Sequence, residues 1–150
     1  MRDFIFRAKP LNADYWVHGD LVHGVQNQVG EVFIWSENDS PFPLDVFEFV
    51  VEPATVCQYT GLNDKNGKPI FEGDIIHYLY EPGKGFWNAD QLSVIEHKST
   101  GFYMKGIPGT NRYACMDGWL VSIPYTQCRY TKDVPEFEVV GNVFDNSELL

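Results

Sequence analysis

Asp64, Glu72, Asp74 and His77 set three carboxylates and an imidazole within one short stretch of the 150-residue chain, a group that could gather as an oxygen and imidazole site. Hard oxygen donors with a nitrogen suit a divalent cation, and a held cation would polarise a substrate or activate water. Their spacing matches no recognised metal motif, and turn chemistry explains the same residues. Asp64 beside Lys65 reads as a turn residue. Glu72-Gly73-Asp74 reads as a corner in which Gly73 supplies an unusual φ and Asp74 bonds nearby backbone N–H groups. His77 shares a strand face with Ile75 and Leu79, a place for a core or rim histidine satisfied by hydrogen bonds. The structural reading is therefore preferred. Its alternative is an enzyme of unknown reaction, metal-assisted, centred on Glu72, Asp74 and His77.

Other chemistry has less to rest on. His18, His23, His77 and His97 fall on separate elements, and no H-x-x-x-H or C-x-x-C pair fixes two ligands together. Cys115 and Cys128 lack a nucleophile elbow and an identifiable base. The glycines from Gly61 to Gly67 precede a strand and lack the G-K-[ST] ending of a phosphate-cradling loop. No catalytic, cofactor-binding or metal-binding residue is assigned, and no cofactor is expected. Phe86 and Trp87 differ from the other aromatics because they lie in a turn-rich connection, residues 81–91, where a large aromatic either folds back on the core or meets a partner. They are the candidate partner-binding residues.

Composition narrows the class further. With 44% hydrophobic and 15% aromatic residues the chain is globular, and 150 residues are enough to bury about 70% of the unfolded surface. The formal net charge is −10, spread along the chain with no Lys/Arg-rich cluster, so direct nucleic-acid binding is not expected. An acidic surface keeps a protein soluble and can meet a basic partner. Three cysteines, odd in number and without paired spacing, and a start that lacks a long apolar segment, point to the cytoplasm. No run approaches the ~20 apolar residues of a membrane span.

The elements that must position these residues are strands. Alternating or β-branched runs occur at 3–8, 15–22, 31–35, 44–51, 75–80, 92–97, 102–105, 119–123 and 137–144. The first two should pair through the short polar connection at 12–14, and the runs flanking Ser99-Thr100-Gly101 should form a hairpin. Asn66-Gly67 between short apolar runs predicts a two-residue type I′ turn, in which both residues take positive φ. Gly141 suits a bulge in the last strand. Residues 145–150 suit one helical turn capped by Asn146 or Ser147. Nowhere does helical spacing persist for three turns.

The stretch QYTGLNDKNGKPIFEGDIIHY, residues 58–78, resembles the signature of the YopX-like family of phage and prophage proteins. FIFRAK at 4–9, YWVHGDL at 15–21 and VVGNVFDNSELL at 139–150 extend the resemblance to both ends of the chain. Cys57 and Ser147 stand where glycine and proline are common in that family. The resemblance implies an SH3-like β-barrel in the second part and a phage context, and it brings no catalytic residues. The expectation is thus an all-β protein with little helix: an N-terminal β-sheet region over 1–56, forming an additional layer, and an SH3-like barrel domain over 57–150, as two regions or as one compact unit. Its expected role is that of a non-catalytic phage or prophage accessory protein acting through protein–protein contacts, with another protein or as a homo-oligomer, in the cytoplasm and away from membranes.

Overall fold

The computed structural model describes residues 5–23, 32–37, 46–80, 89–110, 118–119 and 137–150. The protein is all-β. Among the described residues the regular elements are β1 (Phe6–Ala8), β2 (Val17–His23), β3 (Val32–Glu37), β4 (Val46–Val51), β5 (Cys57–Asn63), β6 (Pro69–Phe71), β7 (Asp74–Tyr80), β8 (Ala89–Lys98), β9 (Gly101–Gly106), β10 (Gly118–Trp119) and β11 (Phe137–Asn142), with single 3₁₀ turns at Pro53–Thr55 and Ser147–Leu149. The chain divides into two compact units, Met1–Tyr59 and Thr60–Leu150, with the boundary inside β5.

In the first unit the strands are hydrogen-bonded in the order β4-β3-β2-β1-β5, all antiparallel. The β1–β2 pairing matches the sequence expectation, with Arg7 opposite His18 and Ala8 opposite Val17. The connection turns where Asn12 takes a φ of 60° and the Ala13 N–H donates to the Pro10 carbonyl at 3.2 Å. Asparagine is among the few residues with a side chain that tolerate this backbone. Beyond β1 the chain then meets β4: Pro10 bridges Val51, the Leu11 N–H donates to the Val50 carbonyl at 3.0 Å, and the Glu52 N–H donates to the Lys9 carbonyl at 2.9 Å. These bonds close a ring of strands, β1 to β4 and back. Ala8, Val17, Ile34 and Val51, one from each strand, form its buried centre, with Phe6, Leu21, Val32, Phe49 and Val56 packed around them.

In the second unit a five-stranded antiparallel sheet runs β10-β9-β8-β7-β11. The β8–β9 hairpin places Lys98 opposite Gly101 across Ser99-Thr100, as the turn residues predict. In β11 the register shifts between Val139 and Gly141, which is the expected bulge. Ile70, Ile76, Tyr78, Ile95, Met104 and Phe137 make the core, and the rings of Tyr78 and Phe137 meet edge to face with centroids 5.3 Å apart. Each such side chain contributes about 1.5–3 kcal/mol by leaving water. The core also holds a polar pair, since the buried Gln91 side-chain amide donates to the Ser93 hydroxyl at 2.8 Å.

Two local expectations need correction. At Asn66-Gly67 only Gly67 has positive φ, 78°, so the turn is not type I′. The Gly67 N–H donates to the Asp64 carbonyl at 3.0 Å, and the Asp64 N–H donates to the Lys68 carbonyl at 2.8 Å. This pattern is a longer hairpin loop with glycine alone in the left-handed position. At the other end, Asn146 precedes the Ser147–Leu149 turn, but its side chain makes no cap bond. Its Oδ1 instead accepts the Asn142 N–H at 3.2 Å, and this oxygen lies only 2.5 Å from where a Cβ on residue 141 would stand. Glycine at 141 thus admits the asparagine. The predicted run at 119–123 is described only at its start.

Candidate functional site

Asp64 is one of two buried acids of the 58–78 stretch, with 1% of its surface exposed. Its Oδ1 accepts the N–H groups of Asn66 at 2.8 Å and Lys68 at 2.9 Å, which fixes the hairpin loop. Its Oδ2 accepts the N–H of Val139 at 3.0 Å, on a strand 75 residues further along. The Lys65 N–H donates to the neighbouring Phe137 carbonyl at 2.9 Å, and the Lys65 ammonium pairs with Glu138. The loop therefore covers the free edge of β11 with one carboxylate and one N–H. Burial alone would push the Asp64 carboxyl up. The bonds from Val139, Lys68 and Asn66, helped by the charge of Lys68, outweigh it and hold the carboxyl below its ordinary value.

Glu72-Gly73-Asp74 forms a second backbone-binding corner. Gly73 has a φ of 76°, its N–H donates to the Ile95 carbonyl at 2.8 Å, and its own carbonyl accepts the Val143 N–H at 2.9 Å. The buried Asp74 accepts the Phe71 N–H on Oδ2 at 2.8 Å, which closes the β6–β7 turn. The carboxylate does there what the turn chemistry predicts. His77 lies three positions along the same strand, so alternation puts it on the opposite face from Asp74. It is half-buried, its Nε2 is 2.8 Å from Asp90 Oδ1 on β8, and it stands directly across from Glu138 on β11. The three residues of the alternative site are thus not gathered, and among the described residues no group of three or more His, Cys, Asp or Glu is placed to hold a metal ion.

The histidine's actual neighbour, Asp90, was not legible in the sequence. The β7–β8 register sets Asp90 opposite Leu79, one diagonal step from His77 on the same face. A second polar cluster also escaped sequence reasoning. In the first unit the Arg7 guanidinium lies 4.6 Å from the centre of the Trp16 ring, with the Lys9 ammonium 5.5 Å from it, and Lys9 pairs with Asp14 at 2.7 Å. Burial, and then the positive charge of Arg7 across the strand pair, hold the His18 imidazole below its ordinary value. Cys57 is buried, and its thiol donates to the Thr55 carbonyl at 3.3 Å. Phe86, Trp87, Cys115 and Cys128 lie outside the described residues.

In chemical terms, the buried carboxylates hold backbone, the cations lie against an indole, and the imidazole is engaged by a carboxylate. A family profile described as YopX protein matches residues 5–150. The crystal structure of protein EF1440 from Enterococcus faecalis is similar to this chain with a TM-score of 0.50 and 20% identity, covering 100% of this chain and 99% of that one. At that identity the likeness concerns the fold alone. No curated protein matches the chain.

Proposed function

The chain belongs to the YopX family, and from that premise we propose that it works through protein contacts and carries no catalysis of its own, as a phage or prophage accessory protein in the host cytoplasm. One observation supports this reading above others: in the 58–78 stretch the buried acids Asp64 and Asp74 spend oxygens on backbone N–H groups, leaving that stretch organised for rigidity. A rigid scaffold with its distinctive aromatic pair, Phe86 and Trp87, in a connecting segment suits recognition by contact, with a partner protein or a second copy of the chain.

The test compares wild type with Trp87→Ala and Phe86→Ala by light scattering after size exclusion at several concentrations, beside thermal melts. Capture from prophage-bearing cells, with the same variants as controls, covers a partner other than the chain itself. The expected result is association in the wild type that weakens by about 2 kcal/mol or more in the Trp87 variant while the melting temperature holds. A variant that loses about 3–5 kcal/mol of stability with no change in association identifies Trp87 as core and overturns the reading.

A further inference from the structure

We propose that Asn66 is a site of spontaneous deamidation, and that the Asp64 loop sets its rate by keeping the attacking nitrogen occupied. This goes beyond the contact role and does not rest on it. An Asn-Gly step is the arrangement in which this chemistry is least hindered, because the residue after asparagine has no side chain to obstruct ring closure. Asn66 is exposed, and nothing lies within 4 Å of the place where a Cβ on Gly67 would stand. In the reaction the Gly67 nitrogen gives up its proton and attacks Asn66 Cγ. The tetrahedral adduct expels the side-chain nitrogen as ammonia and closes a succinimide. Water then opens the ring at either carbonyl, leaving aspartate, or isoaspartate with one extra carbon in the backbone. The net change is one water consumed and one ammonia released, with no oxidant or reductant.

The folded loop opposes the first step. The nucleophile is the Gly67 nitrogen, whose N–H is committed to the Asp64 carbonyl at 3.0 Å. The N–H groups on either side of it, those of Asn66 and Lys68, are both held on Asp64 Oδ1 at 2.8 and 2.9 Å. With three consecutive N–H groups fixed to one aspartate, the backbone cannot swing the Gly67 nitrogen onto Cγ, and the hydrogen bond retains the proton that must leave. Conversion therefore proceeds through local opening of the loop. Its isoaspartate product cannot close the loop again, because the extra backbone carbon spoils the simultaneous reach of Oδ1 to residues 66 and 68. The same carboxylate holds Val139 through Oδ2, so conversion at Asn66 also loosens the hold on the Val139 N–H.

The experiment follows the amide-to-acid mass gain by peptide mapping of the full chain near neutral pH, in buffer and unfolded in guanidinium, with hydrogen exchange of the Gly67 and Val139 amides measured alongside. In the unfolded chain Asn66 is the first asparagine to convert. In the folded chain its rate falls by about tenfold or more, to the unfolded rate multiplied by the open fraction of the Gly67 amide. Asp64→Asn raises the folded rate toward the unfolded one, and the converted fraction exchanges its Val139 amide faster. The wild-type comparison decides the matter if that variant does not fold. A folded chain that converts as fast as the unfolded one, or faster than Gly67 opening allows, overturns the gating. First conversion at another asparagine in the unfolded chain overturns the site.

Discussion

Removing the Asp64 carboxylate should destabilise the second unit more than any other single polar change in the 58–78 stretch. Asp64→Ala strands three backbone donors, those of Asn66, Lys68 and Val139. A buried donor left unmade costs about 1–3 kcal/mol. Residues 66 and 68 are exposed and their N–H groups can recover water, whereas Val139 is half-buried on a strand edge. The full penalty thus applies to one donor and a fraction of it to the other two, which gives about 2–4 kcal/mol. The Lys65 N–H to Phe137 carbonyl bond stays and keeps the loop near β11. Because the carboxyl is held below its ordinary value in the folded chain, its ionised form contributes stability that is present above the unfolded value of about 3.9. That contribution is lost as pH falls through the lower folded value. Guanidinium unfolding of wild type, Asp64→Ala and Asp64→Asn over a series from neutral pH to below 4 measures both effects, the latter about the carboxyl range. A loss under about 1 kcal/mol at neutral pH, or an acid-side slope in Asp64→Asn as steep as in wild type, refutes the role given to the Asp64 carboxylate.

Gly67→Val forces a β-branched residue to a φ of 78° with no steric obstacle around it, so the cost of about 1–3 kcal/mol is backbone strain alone; a variant that melts with the parent shows that the loop has relaxed into another turn. Gly141→Ala drives a Cβ to within 2.5 Å of Asn146 Oδ1 and should cost about 1–3 kcal/mol, much less in an Asn146→Ala background. Additive losses in that double-mutant cycle would place the strain elsewhere. His77→Ala removes a half-exposed pair with Asp90 and should lower stability by under about 1 kcal/mol by chemical denaturation, and a loss of several would reveal a structural part for the imidazole that its exposure does not suggest.

Legibility followed the range of the interaction. Strand alternation, the hairpin at Ser99-Thr100, the bulge at Gly141 and the backbone-binding part of Asp74 were read from neighbouring residues because each is settled within a few positions by pleat geometry and turn chemistry. At Asn66-Gly67 the same short range misleads about the turn type. The dipeptide favours type I′, but Asp64, two positions upstream, offers a carboxylate that organises a longer loop and leaves Gly67 alone in the left-handed region. Asn146 likewise had a local cap available, yet binds the Asn142 N–H because the missing side chain at Gly141 leaves room for it.

The sequence by itself determined an all-β chain with its corners in known places, since alternation and turn propensity act over a few residues. Tertiary structure alone decided which residues meet. Asp64 finds Val139 because β11 crosses to the free side of β7, and His77 finds Asp90 because the β7–β8 register sets them diagonally on one face. Arg7 lies over Trp16 because β1 and β2 pair as they do, and Pro10 reaches Val51 because the first four strands curl into a ring. In each case the partner is fixed by strand order and register. Those depend on many pairings and on burial of a shared core at once, and no short window of sequence contains that sum.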